Sequence, residues 1–186
     1  SPEAGITGYV HDPTQGPACA IACGAGTVLR AYYVELDGEL GQTAHRQIDC
    51  LEGMGSALGN DGQSLWTMQN GYCLLTPEGR AELPQRLAGL DKVEADELRG
   101  RLRVGVQSDV EVTLNGAGHL VTQVYGSALP VSYGGGRLRD WEAFARLVLS
   151  GSYEATLLAA CANAERTGNR RVFLTLLGGG AFWNPT

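Results

Sequence analysis

Apolar positions recur every three to four residues in two long stretches of this chain, and each stretch predicts helix. Residues 141–162 carry apolar side chains at this spacing, which predicts one long helix or two helices that abut at Gly151-Ser152. Gly168-Asn169 would end this element. Residues 78–98 show a similar pattern, with Pro84 placed to begin or kink a helix.

Other segments follow the patterns of strands and turns. Three short segments are predicted strands: 102–106, 110–114 and 120–125. Residues 59–77 are rich in turn formers, among them Asn70-Gly71, and residues 47–51 could open a helix. Residues 171–177 form a nearly continuous apolar run, as buried parallel strands do. A helix, a tight turn and a buried strand in this order predict an α/β protein.

Composition narrows the class of protein. At 186 residues the chain has the size of one domain, and we expect a single domain over its whole length. Its formal net charge of −6 argues against a general nucleic-acid binder, which would carry a basic surface. No apolar run approaches the ~20 residues of a membrane helix, and the first residues lack the pattern of a signal peptide. Arginine far outnumbers lysine beside 27 glycines, so we expect a bacterial, cytoplasmic protein without a membrane partner.

Cysteines and histidines give no sign of a metal site. The cysteines are an odd number, five, without a CxxC pair or a nearby histidine to complete a zinc site. They are Cys19, Cys23, Cys50, Cys73 and Cys161. We expect all five to be reduced, small, semi-buried residues. The three histidines fall in separate loops, so the sequence predicts no histidine-based triad, no metal and no cofactor.

Three consecutive glycines follow the predicted strand 171–177 and are the strongest functional feature. In open α/β sheets, ligands bind at the carboxyl ends of strands. Residues 178–180 leave their amide groups unshielded and permit positive φ, so this backbone could wrap a pyrophosphate, with Phe182 against an adenine or ribose. The alternative is a simple turn with a core aromatic. The loop is neither a P-loop nor a GxGxxG motif.

The segment Gly178-Gly179-Gly180-Ala181-Phe182 resembles the glycine-rich phosphate loop of poly(ADP-ribose) glycohydrolases and other macrodomains. Upstream, Gly41-Gln42-Thr43 leading to Gln47-Ile48-Asp49 resembles the glycohydrolase stretch in which Gln-Glu-Glu follows a glycine-rich loop. Blocks at 12–20 and 121–130 extend the similarity to the MavL-type ADP-ribosyl-arginine hydrolases. The resemblance implies a macrodomain-like mixed sheet flanked by helices, and hydrolysis of ADP-ribose from modified arginine side chains, including that of ubiquitin.

Two features depart from the family pattern. Trp183 stands where the glycohydrolase-type loop has a small residue. The chain also stops at Thr186, where a macrodomain would continue into a helix and a further strand, and it begins without the asparagine-bearing loop that precedes the Asp12 region. We therefore expect a domain truncated at one or both ends.

Cleavage of an arginine N-glycosidic bond calls for carboxylates that stabilise the ribose cation, activate water and supply a proton. The resemblance implies Asp49 as the first candidate, because it matches an acidic residue of the Gln-Glu-Glu motif; the alternative is a solvated aspartate at a helix start. Asp12 could hold the adenine amino group or lie near the guanidinium, or it caps its own turn. Glu39 and Asp37 could meet the cationic arginine, or they are solvated.

Further residues are predicted to bind the ligand. Thr14 and Gln15 could donate to phosphate or ribose, and Ser127 would join the glycine loop if their two strands were parallel neighbours. The predicted ligand-binding set is Thr14, Gln15, Gln47, Ser127, Gly178, Gly179, Gly180, Ala181, Phe182 and Asn184. The expected partners are ADP-ribose and an ADP-ribosylated, ubiquitin-like protein. The alternatives are a non-catalytic ADP-ribose reader and an unrelated α/β enzyme that uses NAD directly.

Overall fold

The computed structural model of the chain describes residues 6–12 and 14–184, which divide into two compact units. The first unit contains the described residues up to Ile48, together with Gly105–Val124 and Ala160–Thr175. The second contains Asp49–Val104, Tyr125–Ala159 and the residues from Leu176 onward. The expectation of a single domain over the whole chain stays a prediction.

Helices and short strands alternate along the described residues. The α-helices are α1 (Gln15–Ala22), α2 (Gly24–Val28), α3 (Glu52–Leu58), α4 (Pro77–Ala88), α5 (Lys92–Arg99) and α6 (Leu138–Thr167). The strands form three two-stranded sheets: β1 (Glu35–Leu36) with β2 (Glu39–Leu40), β3 (Trp66–Gln69) with β4 (Tyr72–Leu75), and β5 (Gly105–Glu111) with β6 (Leu120–Tyr125). The prediction of a mixed α/β chain is confirmed at this level. No helix among the described residues is long and apolar enough to cross a membrane.

The helical stretch predicted over 78–98 is two helices, α4 and α5, and not one. The chain leaves the helix at Gly89, and Asp91 then starts α5 with a capping box: its carboxylate accepts from the Glu94 amide at 2.9 Å, and the Glu94 carboxylate accepts from the Asp91 amide at 2.9 Å. Pro84 lies inside α4, which begins instead at Pro77, after Thr76 caps the first turn.

The hairpin β3–β4 lies within the stretch that the sequence marked only as turn-rich. Asn70 and Gly71 have φ of 51° and 80°, the left-handed values that a two-residue hairpin turn requires. Asn60 completes the outer edge of β3 with its side-chain amide. Its Oδ1 accepts from the amides of Leu65 at 2.8 Å and Trp66 at 3.1 Å, and its Nδ2 donates to the Trp66 carbonyl at 3.1 Å.

The core of the second unit forms around two aromatic rings. Trp66 and Phe144 are each 1% exposed, with ring centroids 5.0 Å apart. The buried cluster consists of Leu51, Met54, Leu58, Leu65, Trp66, Cys73, Leu75, Leu83, Leu98, Leu129, Trp141, Phe144, Ala145 and Val148. The periodic apolar residues of α6 thus supply one face of this core, as their spacing predicted.

Residues 141–162 belong to a single helix, α6, so of the two sequence predictions the one-helix alternative is confirmed. Gly151 is a buried position of this helix. A Cβ there would lie 2.8 Å from Cδ2 of Leu102 and 3.2 Å from Cγ of Arg99, so a larger residue would force these side chains to move. The guanidinium of Arg99, at the end of α5, pairs with Glu154 of α6 at 2.6 Å. Gly168, at φ 75°, stands just beyond the helix end, as expected.

The first unit has fewer buried side chains, and hydrogen bonds connect its segments. Thr27, 1% exposed, donates from Oγ1 to the Ala20 carbonyl at 2.7 Å, which ties α2 to α1. Both nitrogens of the Arg166 guanidinium bind the Asp109 carboxylate, at 2.9 and 3.0 Å. This bidentate pair connects the end of α6 to β5 within the first unit.

The predicted buried strand over 171–177 is wrong. Residues 170–176 form neither helix nor strand, and Phe173 is 88% exposed. A buried parallel strand needs neighbours that accept and donate its backbone hydrogen bonds. The sheets of the described residues are two-stranded, and none includes this segment. The bounds of the strands predicted over 102–106 and 110–114 are also wrong: a single strand, β5, overlaps the end of the first and the start of the second.

Candidate functional site

The glycine-rich loop lies in the second unit and has a defined backbone path. Gly178 has φ 68°, and its carbonyl accepts from the Asn184 amide at 2.9 Å. A Cβ on Gly178 would lie 2.5 Å from Cβ of Ala128 and 2.6 Å from Nδ2 of Asn184, so only glycine fits. Gly180 differs, because a Cβ there would meet no atom within 4 Å. Gly180 is therefore the position of the loop where its backbone faces open space.

Asn184 closes the loop and leaves one polar atom buried without a partner. The residue is 6% exposed, and Nδ2 donates to the Leu129 carbonyl at 2.6 Å. Its Oδ1 is buried and accepts no hydrogen bond from the described residues. A buried acceptor without a donor costs about 1–3 kcal/mol, so this atom favours a ligand that brings a donor.

A cavity of about 400 Å³ lies beside the loop. Its lining residues are Arg146, Leu149, Tyr153, Leu176, Leu177, Gly179 and Asn184. The Tyr153 hydroxyl accepts from the Leu177 amide at 3.0 Å, which anchors the segment entering the loop to α6. The Arg146 guanidinium, 54% exposed, pairs with Glu142 at 3.1 Å. Apolar walls, one cation and one buried acceptor suit a ligand with a flat or apolar part, an anionic group and a hydrogen-bond donor.

Phe182 and Ala181 contact other parts of the second unit. Ser132 donates from its amide to the Phe182 carbonyl at 3.2 Å and from its hydroxyl to the Ala181 carbonyl. The Phe182 ring packs edge to face with Tyr72 and Tyr133, at centroid distances of 6.1 and 5.6 Å. Neither Phe182 nor Ala181 lines the cavity, so the stacking role predicted for Phe182 has no support from the cavity.

Ser127 lies after β6 in the second unit, exposed, with its hydroxyl donating to the Ala128 carbonyl at 3.0 Å. Its predicted role required a strand before the glycine-rich loop that runs parallel to β6. Residues 170–176 do not form that strand. Its neighbour Ala128 nevertheless packs against Gly178, so the chain after β6 does support the loop.

Asp49 precedes α3 in the second unit. Its Oδ1 accepts from the Leu51 amide at 2.8 Å, which forms a local turn just before α3 and gives the carboxylate a structural role without a ligand. The same carboxylate raises the pKa of Cys50, although burial of that thiol is the larger cause. Burial also raises the pKa of Cys73 and Cys23, so these three thiols stay protonated and are poor nucleophiles at neutral pH.

The remaining candidates lie in the first unit and have local partners. The Asp12 carboxylate accepts from the hydroxyl of Thr14 at 2.6 Å and from its amide at 2.9 Å. Both bonds lower the pKa of Asp12, and the bond from the Thr14 hydroxyl is the larger cause. The carboxyl group therefore remains ionised and cannot donate a proton near neutral pH. Glu39 pairs with Arg46, and Gln47 donates from Nε2 to the Ala44 carbonyl at 3.2 Å.

The candidates thus form two groups. Asp12, Thr14, Glu39 and Gln47, together with Gln15 at the start of α1, belong to the first unit. In the second unit, Gly179 and Asn184 line the cavity, and Gly178 and Gly180 flank Gly179 without lining it. Sequence reasoning missed Arg146 and Tyr153, which lie seven residues apart on one face of α6 with Leu149 between them. Polar side chains on the edge of an apolar helical stripe were the available signal.

No protein-family model, no curated protein and no solved structure matches this chain. No group of three or more potential metal ligands occurs among the described residues. The chemistry of the residues themselves therefore carries the functional argument.

Proposed function

We propose that this chain binds ADP-ribose in the cavity beside residues 178–180 and removes it from modified arginine side chains of proteins. The observation that supports binding most strongly is the buried, unpartnered Oδ1 of Asn184 at a cavity that the glycine-rich loop also borders. The proposal includes a macrodomain-like organisation, which the sequence of the loop supports. Cavities of about 300–1,000 Å³ are typical of small-molecule sites, and this one falls within that range.

The lining groups match the parts of ADP-ribose. Its ribose hydroxyls and adenine amino group are donors from which the Asn184 Oδ1 would accept once a shift of the loop exposes this buried atom. Its diphosphate suits the Arg146 guanidinium, since arginine binds phosphate through two parallel hydrogen bonds. The Arg146–Glu142 pair is solvent-exposed, and such pairs contribute about 0–1 kcal/mol, so a phosphate can replace it at little cost.

The catalytic part of the proposal assigns the carboxylate chemistry to Asp49. It belongs to the same unit as the cavity, whereas Asp12 and Glu39 belong to the other. Asp12 is limited to the charged form by Thr14, so its role would be to stabilise positive charge. Glu39 would first have to release Arg46. Asp49 would orient the ribose hydroxyls or take a proton from the attacking water.

Binding is tested at Gly180, which adjoins the cavity-lining Gly179 and where a Cβ would meet no atom within 4 Å. We expect Gly180→Glu to keep the fold and to weaken ADP-ribose binding roughly tenfold or more, because its carboxylate would repel the diphosphate. Isothermal calorimetry with ADP-ribose, NAD and AMP measures this effect. Gly89→Glu is the matched control: it makes the same charge change at the end of α4, where a Cβ has ordinary contacts at 3.5 and 3.6 Å.

Unchanged ADP-ribose affinity in Gly180→Glu would remove the glycine-rich loop from the site. A clear preference for NAD over ADP-ribose would instead favour an enzyme that uses NAD directly. Equal weakening in Gly89→Glu would show that net charge, and not the loop, controls binding.

Hydrolysis is tested by incubating arginine-ADP-ribosylated protein with the unaltered chain, Asp49→Asn and Asp49→Ala. The asparagine variant retains an oxygen for the Leu51 amide but loses the charge, so it separates catalysis from the local turn before α3. We expect both variants to lose activity by about 100-fold or more. Release of label by no protein would leave a non-catalytic reader, and equal release by all three would eliminate the role of Asp49.

A further inference from the structure

Three aromatic rings in the second unit form a partly open cluster that the proposed function does not use. Tyr72 begins β4, Tyr133 follows the turn at Pro130, and Phe182 ends the glycine-rich loop. Their three pairs of ring planes cross at 89°, 89° and 88°, with centroids 6.1, 6.1 and 5.6 Å apart. The three ring planes are therefore mutually perpendicular.

We propose that Tyr72, Tyr133 and Phe182 form a binding site for a methylated ammonium group. Three perpendicular rings with these centroid spacings, when all are turned toward one cation, lie about 4 Å from it, well inside the ~6 Å range of cation–π attraction. The tyrosines are 38% and 58% exposed, so a ligand can reach their rings from solvent. The chain's net charge of −6 favours the approach of cations.

The backbone holds this arrangement in place. The hairpin turn at Asn70-Gly71 fixes where β4 begins and thus where Tyr72 lies. Ser132 forms two hydrogen bonds to residues 181 and 182, which hold Phe182 beside Tyr133. Preorganised rings lose little conformational entropy when a ligand binds.

The shape of the cluster selects among cations. A methylated ammonium is tetrahedral and can direct methyl groups at three perpendicular faces at once. A guanidinium is planar and stacks on one face, and an unmodified ammonium is strongly hydrated. Arg80 is a nearby cation, but its Nη1 donates to the carbonyls of Leu75 and Gly134, each at 3.2 Å, so its charge is directed at the backbone.

This proposal is independent of ADP-ribose, and its probe contains neither phosphate nor nucleoside. The full chain is titrated with Nα-acetyl-trimethyllysine amide, with the unmodified lysine amide, and with the neutral isostere in which carbon replaces the ammonium nitrogen. Binding is followed by NMR chemical shifts. We expect saturable binding of the trimethyl compound, roughly tenfold tighter than that of either comparison ligand.

Variants locate the effect. Tyr133→Leu should weaken binding roughly tenfold, and Tyr133→Phe, which keeps the ring, should retain it. Tyr33→Leu is the matched control, because this tyrosine of the first unit is 59% exposed, against 58% for Tyr133. Circular dichroism checks that each variant is folded, and Tyr72→Leu provides a second test of the cluster. Absence of saturable binding, equal binding of the neutral isostere, or equal weakening by Tyr33→Leu would overturn the proposal.

Discussion

Replacing Gly79 by alanine should destabilise the second unit by about 3 kcal/mol or more, the largest effect expected of any single methyl group in this chain. Gly79 is buried in the first turn of α4, and a Cβ there would lie 1.8 Å from the Leu65 carbonyl oxygen and 2.6 Å from its carbon. Both atoms are backbone, so no side-chain rotation relieves the overlap. The helix or the start of β3 would have to move.

Moving α4 to relieve the steric overlap of Gly79→Ala would itself cost free energy. Its amide donates to the Thr76 hydroxyl at 2.9 Å, and the Thr76 amide donates to the same Leu65 carbonyl at 3.0 Å. A shift of α4 away from Leu65 would stretch the second of these bonds, which connects the helix cap to the hairpin. We therefore expect urea unfolding, followed by circular dichroism, to show a much lower midpoint.

Gly89→Ala is the control for Gly79→Ala, because it makes the same change at the other end of α4. A Cβ on Gly89 would have ordinary contacts of 3.5 and 3.6 Å, and its φ is −82°. We expect its free energy of unfolding to stay within about 1 kcal/mol of the starting value. Similar unfolding midpoints for the two variants would contradict the close packing of α4 on Leu65.

Truncation of Trp66 should produce the second large effect. Trp66→Ala removes a ring that is 1% exposed and packs on Phe144 at 5.0 Å, so we expect a loss of about 3–5 kcal/mol. The space left cannot be filled from Gly55, which lies against this ring: a Cβ there would be 3.3 Å from Cζ2 of Trp66. Denaturant unfolding with an unchanged slope would report the loss directly.

Trp183→Ala provides the comparison for Trp66→Ala. This tryptophan is 73% exposed, and its φ of 55° is a left-handed value that a large side chain adopts at a cost. Its removal should change the free energy of unfolding by no more than about 0.5 kcal/mol. An equal loss from both substitutions would mean that tryptophan content, and not burial on Phe144, determines stability.

Helices were the part of this fold that the sequence predicted best. In α6 the apolar residues keep one spacing over many turns, and Gly168 ends the element in the conformation that glycine favours. The strand β6 has the predicted bounds, 120–125. The break between α4 and α5 was also readable, because Asp91 and Glu94 have the spacing of a capping box. The spacing of apolar residues alone predicted one helical stretch, because this spacing contains no information about a local helix cap.

Strand pairing could not be predicted to the same extent. The apolar run 171–177 fits a buried strand, but burial depends on a neighbouring strand that composition does not reveal. Conversely, β3–β4 was missed because turn residues dominate 59–77, although Asn70-Gly71 is a strong hairpin signal. The first error comes from a missing non-local partner, and the second from a local hairpin signal that was outweighed by the surrounding turn residues.

The candidate site was predicted in part. Gly179 and Asn184 do line the cavity, because the loop that contains them is a local structure. Arg146 and Tyr153 come from α6, more than twenty residues earlier, and only tertiary packing brings them to the loop. Asp12 and Thr14 show the reverse: their hydrogen bonds form within one turn, and they account for the local pattern without a ligand.

The side chain of Asn60 has a consequence for how molecules of this protein behave toward one another. A short hairpin exposes, on its outer edge, amides and carbonyls that a strand from a second molecule could pair with. At Trp66 both of these groups are already bound by the Asn60 amide, which imitates one peptide unit of an added strand. One side chain thus blocks intermolecular strand addition where β3 begins, at the buried Trp66.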